Sequence, residues 1–398
     1  MKIIEVSTSA HIKEFLHLPV SLYKNDPNWI RPLDNDIEKV FDRKKNKYFR
    51  HGECTRWLLL NEKQEVIGRV ASFINKQTAS KDNDQPTGGM GFFECINDQA
   101  AAFFMFDHCK KWLQEKGMEA MDGPINFGER DEWWGLLVDG FYPPNYGMDY
   151  HLSYYQTFFE NYGFKVYFKQ FTYLRELQGD PNEVLMRRSR RIMNNPDYTF
   201  EHLKLKTIEK YTEDFRTIYN NAWGKNYTGV AELNKVQAKA IMLQLKPIID
   251  EEIIFFCYFK GEPIGFYVMI PDLNQIIRHL NGRMDWWGKI KFLWYKYTQG
   301  FDKNVGLVFG VVPEHQGKGV ESALIMEYKK YAHVPNYRYK TTELKWIGDF
   351  NTGMMHLTED LGCKIHKTHI TYRKLFDESK EFKRCPIIKY EKKNKEQT

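Results

Sequence analysis

The sequence predicts an α/β (α+β) fold that is built in two tandem domains. Strand-like runs alternate with amphipathic, helix-like stretches along the chain. The order of these elements in the first half recurs in the second half, and a strand, a glycine-bearing loop and a helix follow one another at residues 305–331. At 398 residues the chain is long enough for two domains of ordinary size.

The first half contains, in order, a strand, two helical stretches, three strands and a further helix. This last helix has Asp98 as its predicted N-cap and Gly117 as its stop signal. The elements are predicted at residues 2–7, 9–25, 34–51, 56–60, 66–74, 91–96 and 98–116.

Short motifs of the second half repeat motifs of the first half. Glu65-Val66-Ile67-Gly68 corresponds to Glu262-Pro263-Ile264-Gly265 at an offset of 197 residues, and Gly163 corresponds to Gly362 at an offset of 199. Matching motifs in matching order imply two copies of one fold. We expect domains at residues 1–178 and 179–376, followed by a basic, flexible tail at residues 377–398.

The composition excludes several classes of function. The net charge of +6 favours anionic ligands, but no basic recognition helix or RNA-binding motif indicates a nucleic-acid partner. Six cysteines without CxxC pairs predict reduced thiols, and no Cys/His cluster predicts a metal site. No apolar run is long enough to span a bilayer. We therefore expect a cytoplasmic protein, soluble or peripheral at the inner membrane, whose oligomeric state stays open.

The stretch 305–331 carries the clearest functional signal. A strand at 307–312 ends at Pro313, and a glycine-bearing loop leads to a helix that starts near Val320. Glycines let the backbone approach a phosphate, and the free N–H groups of the first helical turn point at it. The nucleotide P-loop pattern fails because Val312 holds its first glycine position, and the dinucleotide pattern has Ser322 where its third glycine should be.

The run Gln316-Gly317-Lys318-Gly319-Val320-Glu321 resembles the acyl-CoA-binding loop of the GNAT superfamily of N-acyltransferases, which has the pattern Q/R-x-x-G-x-G/A after a strand. Glu321 departs from that pattern, because a small residue is usual at its position. The element order also resembles the GNAT fold, a mixed central β-sheet flanked by helices. Four further stretches resemble a largely uncharacterised family of bacterial tandem GNAT-like proteins: residues 123–126, 135–141, 219–223 and 271–274.

The resemblance implies an N-acyltransferase that uses acetyl-CoA or a longer acyl-CoA as co-substrate. An amine, either a small molecule or a sphingoid-like lipid, would attack the thioester directly and without a metal, as in relatives linked to ceramide formation. We expect CoA to bind only in the C-terminal half. In the degenerate N-terminal half, the corresponding residues 95–100 contain no glycine and place an acid at the start of the helix. The predicted CoA-binding residues are Val311, Val312, Gln316, Gly317, Lys318, Gly319, Val320, Glu321, Ser322 and Asn351.

Two residues are candidates for proton transfer. Glu343 lies on the strand expected to diverge from 307–312, and it is either a base that faces the cleft or a carboxylate paired with a cation. Many GNAT enzymes have a tyrosine acid in the closing helix, where Thr358 stands here, so Tyr372 is a candidate replacement or else a core tyrosine. Asn351 could bind pantetheine, cap the helix that follows it, or do both.

Loops added to the common scaffold are expected to hold the acceptor, because specificity usually lies in such loops. Each residue in them could equally be a surface or structural residue. The substrate-binding candidates are Asn126, Glu129, Trp133, Trp223, Asn226, Tyr227, Asp272 and Asn274.

Residues 284–301 form an amphipathic stretch rich in Trp, Tyr and Lys. Such a helix can contact a membrane interface or line an acyl tunnel, and the alternative is ordinary packing onto the sheet. Three functional hypotheses therefore stand: an N-acyltransferase, a non-catalytic acyl-CoA-binding or sensor protein, and a long-chain N-acyltransferase that acts on a lipid amine at the membrane surface.

Overall fold

The structure is a computed structural model that describes residues 1–81, 83–128, 132–179, 183–224 and 232–388. Strands and helices follow one another in the predicted order. The first half contains β1 (Lys2–Glu5), α1 (Ser9–Leu22), α2 (Asp34–Phe41), β2 (Gly52–Leu60), β3 (Val66–Asn75), β4 (Thr87–Cys95), α3 (Gln99–Glu115), β5 (Ala120–Gly123), β6 (Leu136–Asp139), α4 (Tyr155–Asn161) and β7 (Lys165–Glu176).

The second half repeats this plan after a linker helix. It contains α5 (Glu183–Met193), β8 (Tyr198–His202), α6 (Ile208–Tyr219), α7 (Lys235–Leu245), β9 (Ile254–Phe259), β10 (Glu262–Pro271), α8 (Asn274–Ile277), α9 (Trp286–Thr298), β11 (Lys303–Val311), α10 (Val320–Ala332), β12 (Thr341–Gly348), α11 (Thr352–Asp360) and β13 (Lys364–Leu375).

Local sequence signals explain most element boundaries. Asp98 caps α3 as predicted, because its carboxylate accepts from the N–H groups of Ala100 at 2.9 Å and Ala101 at 3.3 Å. The helix predicted at 34–51 was too long, since α2 ends at Phe41. The side chain of Asp42 accepts from the backbone N–H of Lys44 at 2.8 Å, and this local turn competes with helix continuation.

The described strands form one sheet of 13 strands. Its order is β1-β2-β3-β4-β5-β13-β7-β12-β11-β10-β9-β8, and β6 also pairs with β13. The last strand of each half pairs inside the other half: β13 lies against β5, and β7 lies against β12. The predicted boundary at residue 178 falls between β7 and α5, but the sheet continues across it.

The exchanged strands also show how the repeat is arranged in space. β7 and β13 are antiparallel neighbours, and Gln170 lies opposite His369. These two residues are related by the same offset of 199 residues that relates Gly163 to Gly362. The repeated halves are therefore arranged about an approximate two-fold axis near this pair, with one shared centre of the sheet.

Helices cover both faces of the sheet in each half. In the second half, Phe266 of β10 stacks on Phe215 of α6 at 5.0 Å, while the next residue, Tyr267, contacts Tyr328 of α10. Alternate residues of a strand point to opposite faces, so α6 and α10 lie on opposite sides. Among the described residues, no helix is both long and apolar enough to cross a bilayer.

Residues 377–388, part of the expected flexible tail, lie along the exchanged strands. The Cys385 N–H donates to the Tyr167 carbonyl at 3.0 Å, and the Ile388 N–H donates to the Phe350 carbonyl at 2.9 Å. Lys383 also pairs with Asp84 at 2.9 Å. Residues 389–398 lie outside the described part of the chain.

Candidate active site

The parallel strands β11 and β12 separate part-way along their length. They are paired only from Lys303 opposite Thr341 to Gly306 opposite Leu344. A β-bulge in β11 follows at once, because Met269 of β10 faces Gly306 whereas Val268 faces Val308. The extra residue bends β11 away from β12. A cleft therefore opens between the second parts of the two strands.

The cleft side of β11 presents backbone hydrogen-bonding groups. The Val312 N–H donates to the Ile264 carbonyl on β10 at 2.9 Å. Backbone groups of an antiparallel strand alternate in direction, so the N–H groups of Val311 and Phe309 point away from β10 toward the cleft. The Gln316 side chain donates to the Val311 carbonyl at 2.8 Å, on this same side. The Phe309 N–H is thus a donor on the open edge.

The predicted CoA loop follows β11 and leads into α10, which starts at Val320 as predicted. Gly317 and Gly319 have φ angles of 68° and 104°, a left-handed conformation that favours glycine. The Glu321 carboxylate accepts from the Gly317 N–H at 3.3 Å. Burial raises the pKa of Glu321, although backbone donors and Arg188 oppose that rise. This carboxylate therefore already contacts the loop that was predicted to bind pyrophosphate.

The basic linker helix α5 packs against this loop. Arg191 donates to the Lys318 carbonyl at 2.9 Å, and Arg188 lies 3.7 Å from Asp360. A side chain at Gly319 would come within 2.9 Å of the Arg188 carbonyl oxygen, so only glycine fits there. Two guanidinium groups thus lie beside the loop and counteract the negative charge of Glu321.

The equivalent position of the first half is closed. The Ile125 N–H, just after β5, donates to the Met90 carbonyl of β4 at 2.8 Å. A side chain at Gly91 would collide with the Ile125 carbonyl, so the two chain segments are in direct contact. Asp98 already accepts from the first N–H groups of α3. In the described residues of this half, the strand segments stay in contact where β11 and β12 separate, and the start of α3 is already capped.

A buried polar cluster fills the first-half core beside β4. Glu94 accepts from the hydroxyls of Tyr23 and Tyr155, both at 2.8 Å, and lies 3.6 Å from Arg69. Burial and the neighbouring Glu94 raise the pKa of Asp149 to about 7. These groups bind one another across α1, β3, β4 and α4, which stabilises the closed arrangement.

Both halves contribute to a small cavity at the base of the β11–β12 cleft. Asn145 lines it and is only 2% exposed, yet neither atom of its side-chain amide has a partner among the described residues. Buried amides are nearly always hydrogen-bonded, so this one is suited to bind a ligand group or a water molecule. The lining residues are Trp134, Asn145, Tyr146, Ile270, Pro271, Asp272, Leu273, Val305, Leu307 and Lys345.

Glu343 lies in the paired part of β12, one residue before the cleft, and is fully buried. Lys367 contacts its carboxylate at 2.7 Å and Lys303 at 3.0 Å. Burial raises the pKa of Glu343, but the attraction of the two ammonium groups outweighs burial and lowers it well below the usual range. Such a carboxylate is a weak proton acceptor, so the structure favours the alternative of a paired acid.

Tyr372 belongs to the second half of the sequence, but β13 places it beside the strands of the first half and not beside the predicted CoA loop. It faces Gly123 of β5, is fully buried, and donates to Glu160 at 2.9 Å. Burial and Glu160 raise its pKa. Two strands, β7 and β12, separate β13 from β11. At about 4.8 Å per strand, Tyr372 is roughly 14 Å from β11, which is too far for proton transfer there.

The remaining candidates fall into three groups. Asp272 lines the cavity and pairs with Lys303 at 3.0 Å, and the neighbouring Asn274 donates to the Pro144 carbonyl at 2.8 Å. Trp223 packs directly on Gly310 of β11, and Asn351 caps α11 by accepting from the Met354 N–H. Asn126 and Trp133 belong to the first half. Three predicted residues lie outside the described part of the chain: Glu129, Asn226 and Tyr227.

Asn126 and Trp133 make contacts within the first half. The Asn126 amide lies 3.4 Å from Asp149, and Trp133 donates to the Gly128 carbonyl at 3.1 Å. The sequence reasoning did not single out Asn145, which stands in a Pro-Pro-Asn-Tyr-Gly run that is typical of a turn. Within the described ranges, no three His, Cys, Asp or Glu side chains come together as a metal site requires.

Solved structures similar to this one contain GNAT domains. A tandem GNAT protein from the clavulanic acid biosynthesis pathway has a TM-score of 0.53 and 9% identity, over 94% of this chain and 98% of that one. A GCN5-related glucosamine N-acetyltransferase region of a fungal multi-domain β-N-acetylglucosaminidase has a TM-score of 0.55 and 10% identity. That match covers 94% of this chain and 38% of the longer fungal chain.

The fold and the cleft define the class of this chain, which has the fold of tandem GNAT proteins. The predicted resemblance is therefore confirmed. The chain is also 27% identical to the bacterial ceramide synthase of Caulobacter vibrioides over 377 residues, which are 94% of this chain and 97% of that protein. No model of a protein family matches the sequence.

Proposed function

We propose that this protein transfers a long acyl group from an acyl-CoA thioester to the amine of a lipid acceptor, at a site in the C-terminal half. The observation that carries the proposal is the open edge of β11. There β11 leaves β12 after Gly306, and a glycine loop with left-handed Gly317 and Gly319 follows. In the first half, by contrast, the Ile125 N–H donates to the Met90 carbonyl and keeps the corresponding segments together.

The reaction needs an amine nitrogen to attack the thioester carbonyl carbon. The carbon–sulfur bond breaks, the amine loses a proton, and the sulfur leaves as the CoA thiol. The Phe309 N–H on the open edge is suited to polarise the thioester carbonyl and to stabilise the developing oxyanion. The backbone of the glycine loop and the guanidinium groups of α5 are suited to hold the pyrophosphate.

Asp272 is the acid best situated to receive the acceptor amine. It lines the cavity together with Leu307 and Lys345, at the point where the cleft begins. Burial raises its pKa, and Lys303 opposes that rise. A carboxylate with a raised pKa attracts an ammonium group and accepts its proton more readily than an ordinary one does. Asn145, unpaired in the same cavity, is suited to bind a hydroxyl of the acceptor.

The lipid nature of the acceptor is supported by two findings. A relative that is similar over nearly the whole chain is named a bacterial ceramide synthase. The cavity lining is also largely apolar, with Trp134, Leu273 and Leu307 among its residues. Because a lipid acceptor resides in a bilayer, the proposed reaction would take place at a membrane surface.

A second candidate function is acyl-CoA binding without catalysis. Glu321, which lies against the loop, adds a negative charge where pyrophosphate should bind. Glu343 is neutralised by two lysines and so does not serve as a base. A sensor would need the binding loop but no proton acceptor.

The test follows release of the CoA thiol from acyl-CoAs of increasing chain length, with an amine panel that includes sphingoid bases. The wild-type protein should release thiol only when a lipid amine is present. Asp272→Asn should lower the rate by roughly 10²-fold, the usual contribution of a positioned base. It should leave the fold intact, since Lys303 keeps Glu343 as a partner.

Asp139→Asn is the matched control, because Asp139 is exposed on β6 and is not one of the residues that line the cavity. Thermal stability with each acyl-CoA provides the second measurement. Stabilisation by acyl-CoA without amine-dependent thiol release would favour the sensor. If no acyl-CoA raises the melting temperature and none is consumed, both candidates are rejected.

A further inference from the structure

Helix α9 exposes a continuous aromatic and aliphatic face. Trp286, Trp287 and Tyr297 are 71%, 69% and 82% exposed. Ile290, Leu293 and Trp294 are also exposed, and their spacing along the chain puts all six side chains on one side of the helix. Single exposed apolar residues are ordinary on a protein surface, but a contiguous patch of this kind marks an interaction site.

The opposite side of α9 is fixed to the protein. Phe292 packs against a cluster that includes Leu273, Ile277 and Leu280, and the Tyr295 ring stacks on His279 at 4.2 Å. The Asp285 side chain caps the helix by accepting from the Gly288 N–H at 2.9 Å. One side of the helix is therefore packed against the rest of the protein. Ordinary packing of the six exposed residues onto the sheet, the alternative reading of the sequence, does not occur.

The charge around this face is positive. The sequence of α9 contains no acidic residue, and its Lys289 and Lys291 are exposed, as is Arg283 just before the helix. Trp and Tyr combine an apolar ring with a polar group, which suits the boundary between lipid headgroups and acyl chains. Lysines flanking such a face complement the negative charge of phosphatidylglycerol-type headgroups.

We propose that α9 is an interfacial helix that docks the protein onto an anionic phospholipid bilayer, with Trp286, Trp294 and Tyr297 inserted among the headgroups. The occupant of this face is the lipid surface and not another protein chain, because exposed lysines flank the aromatic face and complement anionic headgroups. Docking of this kind is reversible and needs no spanning segment.

The position of α9 links the membrane to the cleft. Pro271 and Leu273 line the cavity at the cleft, and they also line the groove that runs beside Phe292 of α9. A lipid amine in the bilayer would therefore meet the protein close to this route into the cavity. This consequence rests on the proposed function, whereas docking itself does not.

The experiment is flotation of the full-length protein with phosphatidylcholine vesicles that contain either no phosphatidylglycerol or about one third of it. The wild type should bind the anionic vesicles. The triple variant Trp286→Ser, Trp294→Ser, Tyr297→Ser should lose at least about tenfold in partitioning. The variant Lys289→Gln, Lys291→Gln should lose only the preference for anionic lipid. Since all these side chains are exposed, the melting temperature should not fall.

The matched control is Val236→Ser with Leu243→Ser, which removes exposed apolar residues from another helix, α7. It should bind vesicles as the wild type does. Absence of vesicle binding by the wild type, or unchanged binding by the triple variant, would overturn the proposal. So would a triple variant that changes the oligomeric state but not vesicle binding, because α9 would then join two copies of the chain.

A separate measurement keeps the two proposals distinguishable. Acyl-CoA binding in the absence of vesicles should be the same in the triple variant as in the wild type. If vesicle binding depends on α9 while no acyl-CoA is ever bound, the proposed function fails and docking stands. If acyl-CoA is bound and vesicles are not, docking fails alone.

Discussion

The residue that most affects the proposed CoA site is Glu321. The sequence identified it as a departure from the acyl-CoA loop pattern, since an acid is unfavourable beside pyrophosphate. The structure adds a contact that sequence could not predict: its carboxylate accepts from the Gly317 N–H of the same loop. Glu321 therefore competes with a phosphate for the same donor as well as repelling it.

We expect Glu321→Gln to strengthen CoA binding by about tenfold, or about 1.4 kcal/mol, because it removes a buried negative charge near the phosphates. The glutamine keeps an oxygen that can accept from Gly317. The same reasoning predicts that wild-type affinity rises as pH falls through the raised pKa of Glu321, because protonation neutralises the carboxyl. Isothermal titration calorimetry with CoA measures both effects.

Glu327→Gln serves as the control, since it makes the same charge change further along α10, where Glu327 pairs with Lys330. It should leave the affinity for CoA nearly unchanged. Weaker CoA binding by Glu321→Gln would instead mean that this carboxylate organises the loop.

At the scale of elements, the basic helix α5 has a different role from the one its composition suggests. A run of arginines such as that at residues 187–191 is usually a solvated helix face. In the structure, Arg191 contacts the CoA loop, and Arg188, one helical turn earlier, pairs with Asp360 and acts electrostatically on Glu321. Helix α5 thus adds positive charge to that of Lys318 in the loop.

The double variant Arg188→Gln, Arg191→Gln should weaken CoA binding by roughly tenfold and reduce its dependence on salt, because two charges beside the phosphates are lost. Fluorescence titration of labelled CoA at several salt concentrations measures this. Arg187→Gln with Arg190→Gln is the control, since it makes the same charge change in the same helix. Equal losses in the two double variants would show that only the overall charge of the helix matters.

Helix α9 illustrates the limit of periodicity at this scale. The spacing of Trp, Tyr and Leu in residues 284–301 predicts an amphipathic helix, and α9 is one. Periodicity identifies an apolar side but not what covers it. The structure shows that Phe292 and Tyr295 pack against the protein, and that the side of α9 with Trp286, Trp294 and Tyr297 is exposed.

At the scale of the whole molecule, the exchanged strands make the two halves one structural unit. β13 lies between β5 and β7, and β7 lies between β13 and β12, so each half would lack a central neighbour on its own. Unpaired strand edges inside a sheet are costly because their backbone groups lose partners. The predicted domains at 1–178 and 179–376 describe the repeat along the chain and not separate sheets.

We expect the full-length protein to unfold in one cooperative transition, with the amides of β7 and β13 the slowest to exchange, since they lie at the centre of the sheet. Hydrogen exchange followed by mass spectrometry across a urea series measures this. The edge strands β1 and β8 provide an internal comparison and should exchange faster. Protection that is lost in one half at a lower urea concentration than in the other would contradict a single unit.

Much of the fold and part of the site could be derived from the sequence alone. The repeat, the glycine loop and the helix that begins at Val320 depend on local patterns, because glycine geometry, capping and periodicity act within a few residues. The sequence also selected Asp272, just after β10, and Trp223, in the helical turn that continues α6, and both lie near β11.

Tertiary structure alone decided which side chains meet. The sequence left Glu343 either facing a cleft or paired with a cation, and in the structure Lys303 and Lys367 from two other strands hold its carboxylate. Tyr372 lies beside the strands of the first half because β13 pairs with β5. Asn145 reaches the cavity from a turn about 160 residues before β11. Pairing between strands that are distant in sequence leaves no local signal, so strand exchange, and with it the composition of the site, becomes visible only once the chain has folded.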